Sequence, residues 1–381
     1  MADALTAAPL LEAVRALRPL ILEHADAAER DSHYAQPVID AMRDAGVYRA
    51  LIPQALGGGE ITASDLLASL EELARADASI AWLAMIGSTS GLASAYIDPE
   101  LASELFTEQT IAAGVVAPRG TGKRVEGGLV LNGRWPFASG CLHSALIGLS
   151  CTIEGEDLSP IFHALVPMSD VEVLDTWDVS GLRATGSHDI VAHDIFVPEG
   201  RGFYFSPEQR SRHEGTLYHF SLRGLLSAVV AAVALGTARG ALDDIRELAT
   251  KKTPTGRQKA LSELATTQVD YARAEGRLRS GRAFLFETVE EIWEAREQDE
   301  RISSEQRALL RLASTAAVDG AVAAVDAAYT LGGASSIYAA SPLQRRFRDI
   351  HAITQHIMVT TASYEAAGRA LLGLTVPPGF L

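Results

Sequence analysis

Hydrophobic positions change their period twice along this chain. From about residue 8 to 112 they recur every three or four residues. Leu10, Val14, Leu17 and Ile21 form one stripe, and Leu66, Leu67, Leu70 and Leu73 another. That is the spacing of helices burying one face. Pro53 and Gly57-Gly58-Gly59 break this zone with a loop. From about 113 to 218 short alternating runs take over. Residues 124–137 read as a hairpin, with Gly127-Gly128 and Asn132-Gly133 as turn signals. Residues 161–166, 171–174 and 189–197 read as further strands, the last closed by Pro198 and Glu199.

From about 219 onward the helical period returns in four segments: 220–250, 259–298, 303–332 and 342–373. Pro254 with Gly256, Asp299, and Gly332-Gly333 separate them. The expected architecture is mostly α with a central β domain (α+β). A helical N-terminal domain spans 1–112. A middle β barrel or sandwich spans 113–218, and an antiparallel four-helix bundle 219–381. The alanine-rich stretch from Ala313 to Ala328 permits close helix approach. Apolar faces on such helices commonly bury against another subunit, so an oligomer is expected.

Composition narrows the function. The chain has 381 residues and a formal charge of −15, which disfavours nucleic acid, because phosphate contacts need a basic face. The two cysteines, Cys141 and Cys151, make no disulfide framework and fit a reducing cytoplasm. The N-terminus from Met1 to Glu12 lacks a basic n-region. The apolar run from Leu225 to Leu235 is shorter than a bilayer span, so no membrane partner is expected.

Several familiar motifs fail. Gly120-Thr121-Gly122-Lys123 lacks a glycine at Ala117 and a hydroxyl residue at Arg124, so it is no phosphate loop. No dinucleotide glycine fingerprint joins a strand to a helix. Gly87-Ser88-Thr89-Ser90-Gly91 puts threonine where a nucleophile-elbow serine belongs. The ten histidines do not cluster at ligand spacing, and no metal site is expected.

The order helical, β, four-helix resembles the acyl-CoA dehydrogenase superfamily over nearly the whole chain. Asp44-Ala45-Gly46-Val47-Tyr48 with Pro53 and Leu56-Gly57-Gly58 resembles its N-terminal segment. Arg134-Trp135-Pro136-Phe137-Ala138-Ser139-Gly140 resembles its flavin-facing strand. Gly181-Leu182-Arg183-Ala184-Thr185-Gly186-Ser187 then Asp189 resembles its second β signature. Leu331-Gly332-Gly333 and Arg348-Asp349 resemble its C-terminal pair.

The superfamily holds two chemistries. By resemblance, the dehydrogenases mount a glutamate base at one of two places, which fall here near Ile357 and Leu226. No Asp or Glu occurs from Thr216 to Leu242. The other branch comprises the two-component flavin-dependent monooxygenases (group D). Their pattern has a serine in the Trp-x-Phe-x-Ser-Gly strand, a Thr-Gly-Ser motif and a histidine on the last helix. Ser139, Thr185-Gly186-Ser187 and His356 match it. This branch implies an oxygenase component. It takes reduced FMN or FAD from a separate NAD(P)H-dependent flavin reductase and reacts it with O₂ through a C4a-(hydro)peroxyflavin. A small aromatic or heteroatom-bearing substrate is then hydroxylated or oxidised. It also implies a homotetramer, a dimer of dimers. The alternatives are an acyl-CoA dehydrogenase or oxidase with a displaced base, and a non-catalytic flavin-binding scaffold.

The resemblance assigns Ser139 to a contact with the flavin N5 and His356 to proton donation or relay, an imidazole being apt near neutrality. Trp135 and Phe137 would flank the ring system. Ala138, Thr185 and Ser187 would also contact the cofactor, and Gly332 and Gly333 would admit its tail. Asp349 would pair with Arg348 or another bundle arginine, and His351 would be structural. Arg345, Arg346 and Arg348 would meet a phosphate or form an ion-pair face. Members acting on phenols often carry a histidine shortly after the segment matching Asp77 to Trp82. Here Leu83 to Ser88 holds no base. Trp82 and Met85 would form an apolar wall for a flat aromatic substrate.

Overall fold

The computed structural model describes residues 7–157, 160–205, 210–298 and 301–376. Asp299 therefore lies outside the described residues. Six helices come first: α1 (Ala7–Ala16), α2 (Arg18–Asp31), α3 (Gln36–Asp44), α4 (Ala63–Ala76), α5 (Ala78–Ser90) and α6 (Pro99–Leu105). Thr62 caps α4, its Oγ1 accepting from Asp65 N at 3.2 Å. Asp77 ends α4 and starts α5, its Oδ1 accepting from Ser79 N at 2.9 Å and Ile80 N at 3.2 Å. One carboxylate thus fixes the angle between the two helices.

Seven strands follow: β1 (Ala112–Val125), β2 (Gly128–Trp135), β3 (Leu146–Ile153), β4 (Ile161–Pro167), β5 (Glu172–Leu174), β6 (Asp189–Pro198) and β7 (Gly202–Phe205). They form one mixed sheet in the order β5-β6-β2-β1-β3-β4-β7, with β1 and β3 parallel and the other pairs antiparallel. This corrects the expected barrel or sandwich to a single seven-stranded sheet. The hairpin turn falls at Gly127, with φ +76°. Asn132-Gly133 makes no turn. It lies inside β2 at a register shift against β6, where Asn132 and Asp194 bond reciprocally.

The C-terminal region holds α7 (Thr216–His219), α8 (Leu222–Lys251), α9 (Ala265–Glu297), α10 (Ser304–Gly332), α11 (Pro342–Ile353) and α12 (Thr361–Leu371). The fourth bundle segment is thus not the continuous helix expected over 342–373. It breaks after Ile353 and resumes at Thr361, with a short 3₁₀ turn between. α8 is apolar all round because it is central, covered by α4 on one side and α10 on another. A methyl at Gly236 would sit 2.1 Å from the Glu71 carbonyl oxygen, so glycine sets the α4–α8 approach.

The helices Ala78–Ala95, Leu222–Lys251 and Ser304–Ile337 are long and apolar enough to cross a membrane by length and composition. Here 83%, 89% and 61% of them lie inside the protein. The apolar run around Leu225 belongs to the long helix expected over 220–250, and its side chains serve the core.

Candidate active site

Three sequence-distant segments converge on one hydroxyl chain. The Trp82 indole, on α5, donates from Nε1 to Ser139 Oγ at 3.2 Å. Ser139 Oγ lies 2.6 Å from Ser187 Oγ, which lies 2.7 Å from Thr185 Oγ1. Thr185 Oγ1 donates to the Leu182 carbonyl at 2.8 Å. Both ends fix the direction. An indole N–H only donates and a carbonyl only accepts, so every proton points from Trp82 toward Leu182. Ser139 gives its proton to Ser187 and accepts from Trp82. It keeps one free lone pair, and a further partner meets an acceptor there. All four residues are buried, between 2% and 7% exposed.

His356 joins this group through Trp82: the rings meet edge to face with centroids 5.4 Å apart. It sits in the break between α11 and α12, where its Nδ1 accepts from Met358 N at 3.4 Å. That bond places the ring proton on Nε2. Burial, with the charge of Arg311 adding, lowers its pKa to about 4, so the ring is neutral at pH 7. The expected placement of His356 on a continuous last helix is corrected, and with it the helical relation to Asp349.

Asp349 is also reassigned. It is 2% exposed, and its Oδ1 accepts from Leu182 N at 2.7 Å. Arg348 pairs instead with Glu29 at 2.7 Å and donates to the Ser180 carbonyl. Arg345 meets Asp26 and lies 3.7 Å from Asp77, and Arg346 pairs with Asp244. The arginine cluster is an ion-pair face. His351, paired with Asp326 at 3.0 Å, is half-buried and remote from the hydroxyl chain.

Trp135 and Phe137 part ways in the structure, the first buried in the sheet and the second exposed. Strand β2 ends at Trp135, which is 0% exposed and donates from Nε1 to the Ser150 carbonyl at 2.7 Å. It is sheet core, stacked over Gly120 and Gly133. Phe137 takes a left-handed backbone, φ +63°, and projects 68% exposed beside Trp177. The turn that separates them also aims Ser139 inward. Ala138 is buried, its N–H bonded to the His188 carbonyl at 3.0 Å.

Met85, 2% exposed, packs in the main helical core cluster that also holds Trp82. Gly332 and Gly333 close α10, where Lys252 Nζ donates to the Gly332 carbonyl at 2.7 Å. A methyl at Gly332 would lie 2.1 Å from Ser336 Oγ, so a larger residue there would make that hydroxyl turn away.

Two residues escaped the sequence reading. His143 follows Ser139 by four residues and lines a small apolar recess with Tyr48, Leu83, Ile86 and Gly140. Its Nε2 is buried without a partner. Arg311, on α10, is 7% exposed and close enough to depress His356. Neither carries a motif; only the fold brings them in.

Comparison with known proteins agrees with this geometry. Residues 10–99 match the acyl-CoA dehydrogenase N-terminal domain and 228–361 the acyl-CoA dehydrogenase C-terminal domain. Indole-3-acetate monooxygenase of Pseudomonas putida is 33% identical, covering 93% of this chain and 91% of its own. The oxygenase component of p-hydroxyphenylacetate 3-hydroxylase from Acinetobacter baumannii is 26% identical, covering 97% and 90%. The structure of XiaF from Streptomyces with FADH2 and glycerol superposes with a TM-score of 0.92 at 24% identity, covering 98% of each chain. The chain belongs to the acyl-CoA dehydrogenase superfamily, in its flavin-dependent monooxygenase branch. Within that branch it is an oxygenase component.

The site fits such a cofactor. Reduced flavin presents an N–H at its central ring, and the one-way hydroxyl chain leaves Ser139 with acceptor capacity. Among the described residues no Asp or Glu bonds to the side chains of Trp82, Ser139, Ser187, Thr185 or His356. The two dehydrogenase base positions hold Ile357, 74% exposed, and Leu226.

Proposed function

We propose that this protein transfers one oxygen atom from O₂ to a small aromatic substrate, drawing reduced FMN or FAD from a separate NAD(P)H-dependent reductase. The observation that carries the reading is the polarity of the chain Trp82, Ser139, Ser187, Thr185, Leu182. Bound reduced flavin supplies the electrons and the position at which oxygen is activated.

The protein residues manage protons and water around it. Ser139 accepts the flavin N–H and, being unable to donate there, does not draw its proton away. Trp82 locks the Ser139 rotamer and seals that side from solvent. The neutral His356 ring offers Nε2–H as a donor and relays a proton at the substrate side. Thr185 and Ser187 hold the chain to the backbone. The aromatic class of the substrate rests on the relatives named for indole-3-acetate and p-hydroxyphenylacetate. Exposed Ile337, Tyr338, Ile357 and Leu372, between 68% and 77% open, support a homotetramer that would cover them.

The test is rapid mixing of reduced-flavin holoprotein with oxygenated buffer. In wild type, oxidised flavin should return well after oxygen is consumed, and product should form with little free peroxide. In Ser139→Ala the return should quicken at least tenfold, with peroxide replacing product. Anaerobic bleaching of oxidised flavin by an acyl-CoA would overturn the reading in favour of a dehydrogenase.

A further inference from the structure

Arg311 is a buried cation with only neutral partners. Its residue is 7% exposed. Nη2 donates to Ser363 Oγ at 2.7 Å, Nη1 reaches the Met358 sulfur at 3.4 Å, and Nε is buried with no partner at all. Among the described residues no Asp or Glu lies within ion-pair distance of it. The other arginines of this region show the contrast: Arg345, Arg346 and Arg348 each meet a carboxylate. Burial, with the charge of Arg223 adding, pulls the Arg311 pKa down to about 10, which is the mark of a cation held without a counter-charge.

An uncompensated guanidinium in a dry interior is unfavourable unless an anion completes it. None of the described residues supplies one, which leaves an external anion as the group to test. Its location says which. Arg311 touches Met358, two residues from His356, and its charge is felt at the His356 ring, which in turn packs on Trp82. The cation therefore neighbours the imidazole, which the Trp82 ring links to the hydroxyl chain. The guanidinium fork suits a planar carboxylate.

We propose that Arg311 is the counter-ion of a carboxylate carried by the substrate, so that the enzyme selects aromatic rings bearing a short acidic side chain. The proposal rests on the aromatic oxygenation argued above and names the handle by which the ring is held. A site with an unpaired buried charge rejects a neutral isostere strongly, because the charge is then left uncompensated.

The test is calorimetric binding to the reduced-flavin holoprotein under argon, with indole-3-acetate and 4-hydroxyphenylacetate each paired against its amide. Wild type should prefer at least one acid over its amide by tenfold or more. Arg311→Met should weaken that acid about 100-fold and leave the amide within about threefold. Arg311→Lys, which keeps the charge, should retain part of the preference. Flavin affinity should stay the same in both variants.

Equal binding of acid and amide by wild type for both pairs would overturn the proposal. So would an acid preference that survives in Arg311→Met. Loss of flavin binding with the acid preference intact would also overturn it, assigning Arg311 to the cofactor phosphate instead. Should Arg311→Met fail to fold, the wild-type ratios and the lysine variant decide. Wild type that binds the acid but oxygenates nothing sinks the oxygenase reading and leaves Arg311 standing.

Discussion

The Asp349 carboxylate accepts the Leu182 N–H at 2.7 Å, tying α11 to the turn that carries Thr185 and Ser187. Leu182 is held in a left-handed conformation, φ +53°, that a leucine seldom adopts. The bond is what keeps it there, and the hydroxyl chain starts at the same residue's carbonyl. Asp349→Ala should cost about 1–3 kcal/mol, because it leaves a buried N–H unpaired. It should also weaken flavin binding, whereas Asp349→Asn keeps an acceptor. Urea unfolding and flavin titration check both. Unchanged flavin affinity in the alanine variant would refute the coupling.

Asp349 also sets a pH dependence. Burial, with the charge of Asp77 adding, raises its pKa well above the usual carboxylate range. Between the unfolded value, about 3.9, and the raised folded value, the native chain holds a proton that the unfolded chain has lost. Stability therefore falls as pH rises across that window. Asp349→Asn lacks this loss, so its stability relative to wild type should improve from pH 4 to pH 8. Denaturant curves at the two ends read the sign directly.

Three buried histidines act in the opposite sense. Burial lowers His143, His163 and His356 to about 4, with His33 adding at the first and Arg311 at the last. Each is neutral when folded and gains a proton on unfolding between about pH 6.5 and its folded value. Stability is full above that window and falls as pH drops through it, at most about 1.4 kcal/mol per unit for each ring. His163 bonds Ser150 Oγ at 2.8 Å, and neither is a member of the hydroxyl chain. His163→Gln should flatten the slope by one ring's share without altering flavin oxidation kinetics. An unchanged slope in the pH 4–6.5 range would contradict this.

Trp82→Phe keeps a ring against His356 but removes the donor to Ser139. The fold should lose only about 0.5–1.5 kcal/mol. The functional effect should be larger, because Ser139 then loses the donor that holds its rotamer and has a second lone pair open to other donors. Peroxide yield per oxygen consumed should rise several-fold. Product yield equal to wild type would show that the indole N–H has no part in the site.

Gly181 tests the same clamp sterically. A methyl there would lie 2.3 Å from the Arg348 carbonyl oxygen, a backbone atom that cannot swing aside. Gly181→Ala should destabilise by about 1–3 kcal/mol and share the flavin-binding defect of Asp349→Ala. Wild-type flavin affinity in this variant would separate the clamp from the cofactor site.

Much of this site was legible in the sequence because its members sit in compact motifs. Ser139 and Thr185-Gly186-Ser187 lie in turns whose Gly and Ser content marks them. What failed had a common cause: each misplaced side chain hung on an element end. Trp135 and Phe137 would share a sheet face only if β2 ran through both, and it stops between them. Asp349 and His356 would share a helix face only if α11 ran on past Ile353. No Gly or Pro marks that break; only Thr354, Thr360 and Thr361 hint at it, as β-branched and capping residues. Arg311 lay in an ordinary helical stripe, and its isolation from acids is a property of the packed bundle.

The gap between α11 and α12 has an evolutionary meaning. A reactive group mounted in mid-helix could be moved only by turning the entire rod. One mounted in a seven-residue gap can be exchanged, or shifted by a small insertion, while the rods stay in register. A single architecture can thereby carry different side chains at this point while the bundle around it is unchanged.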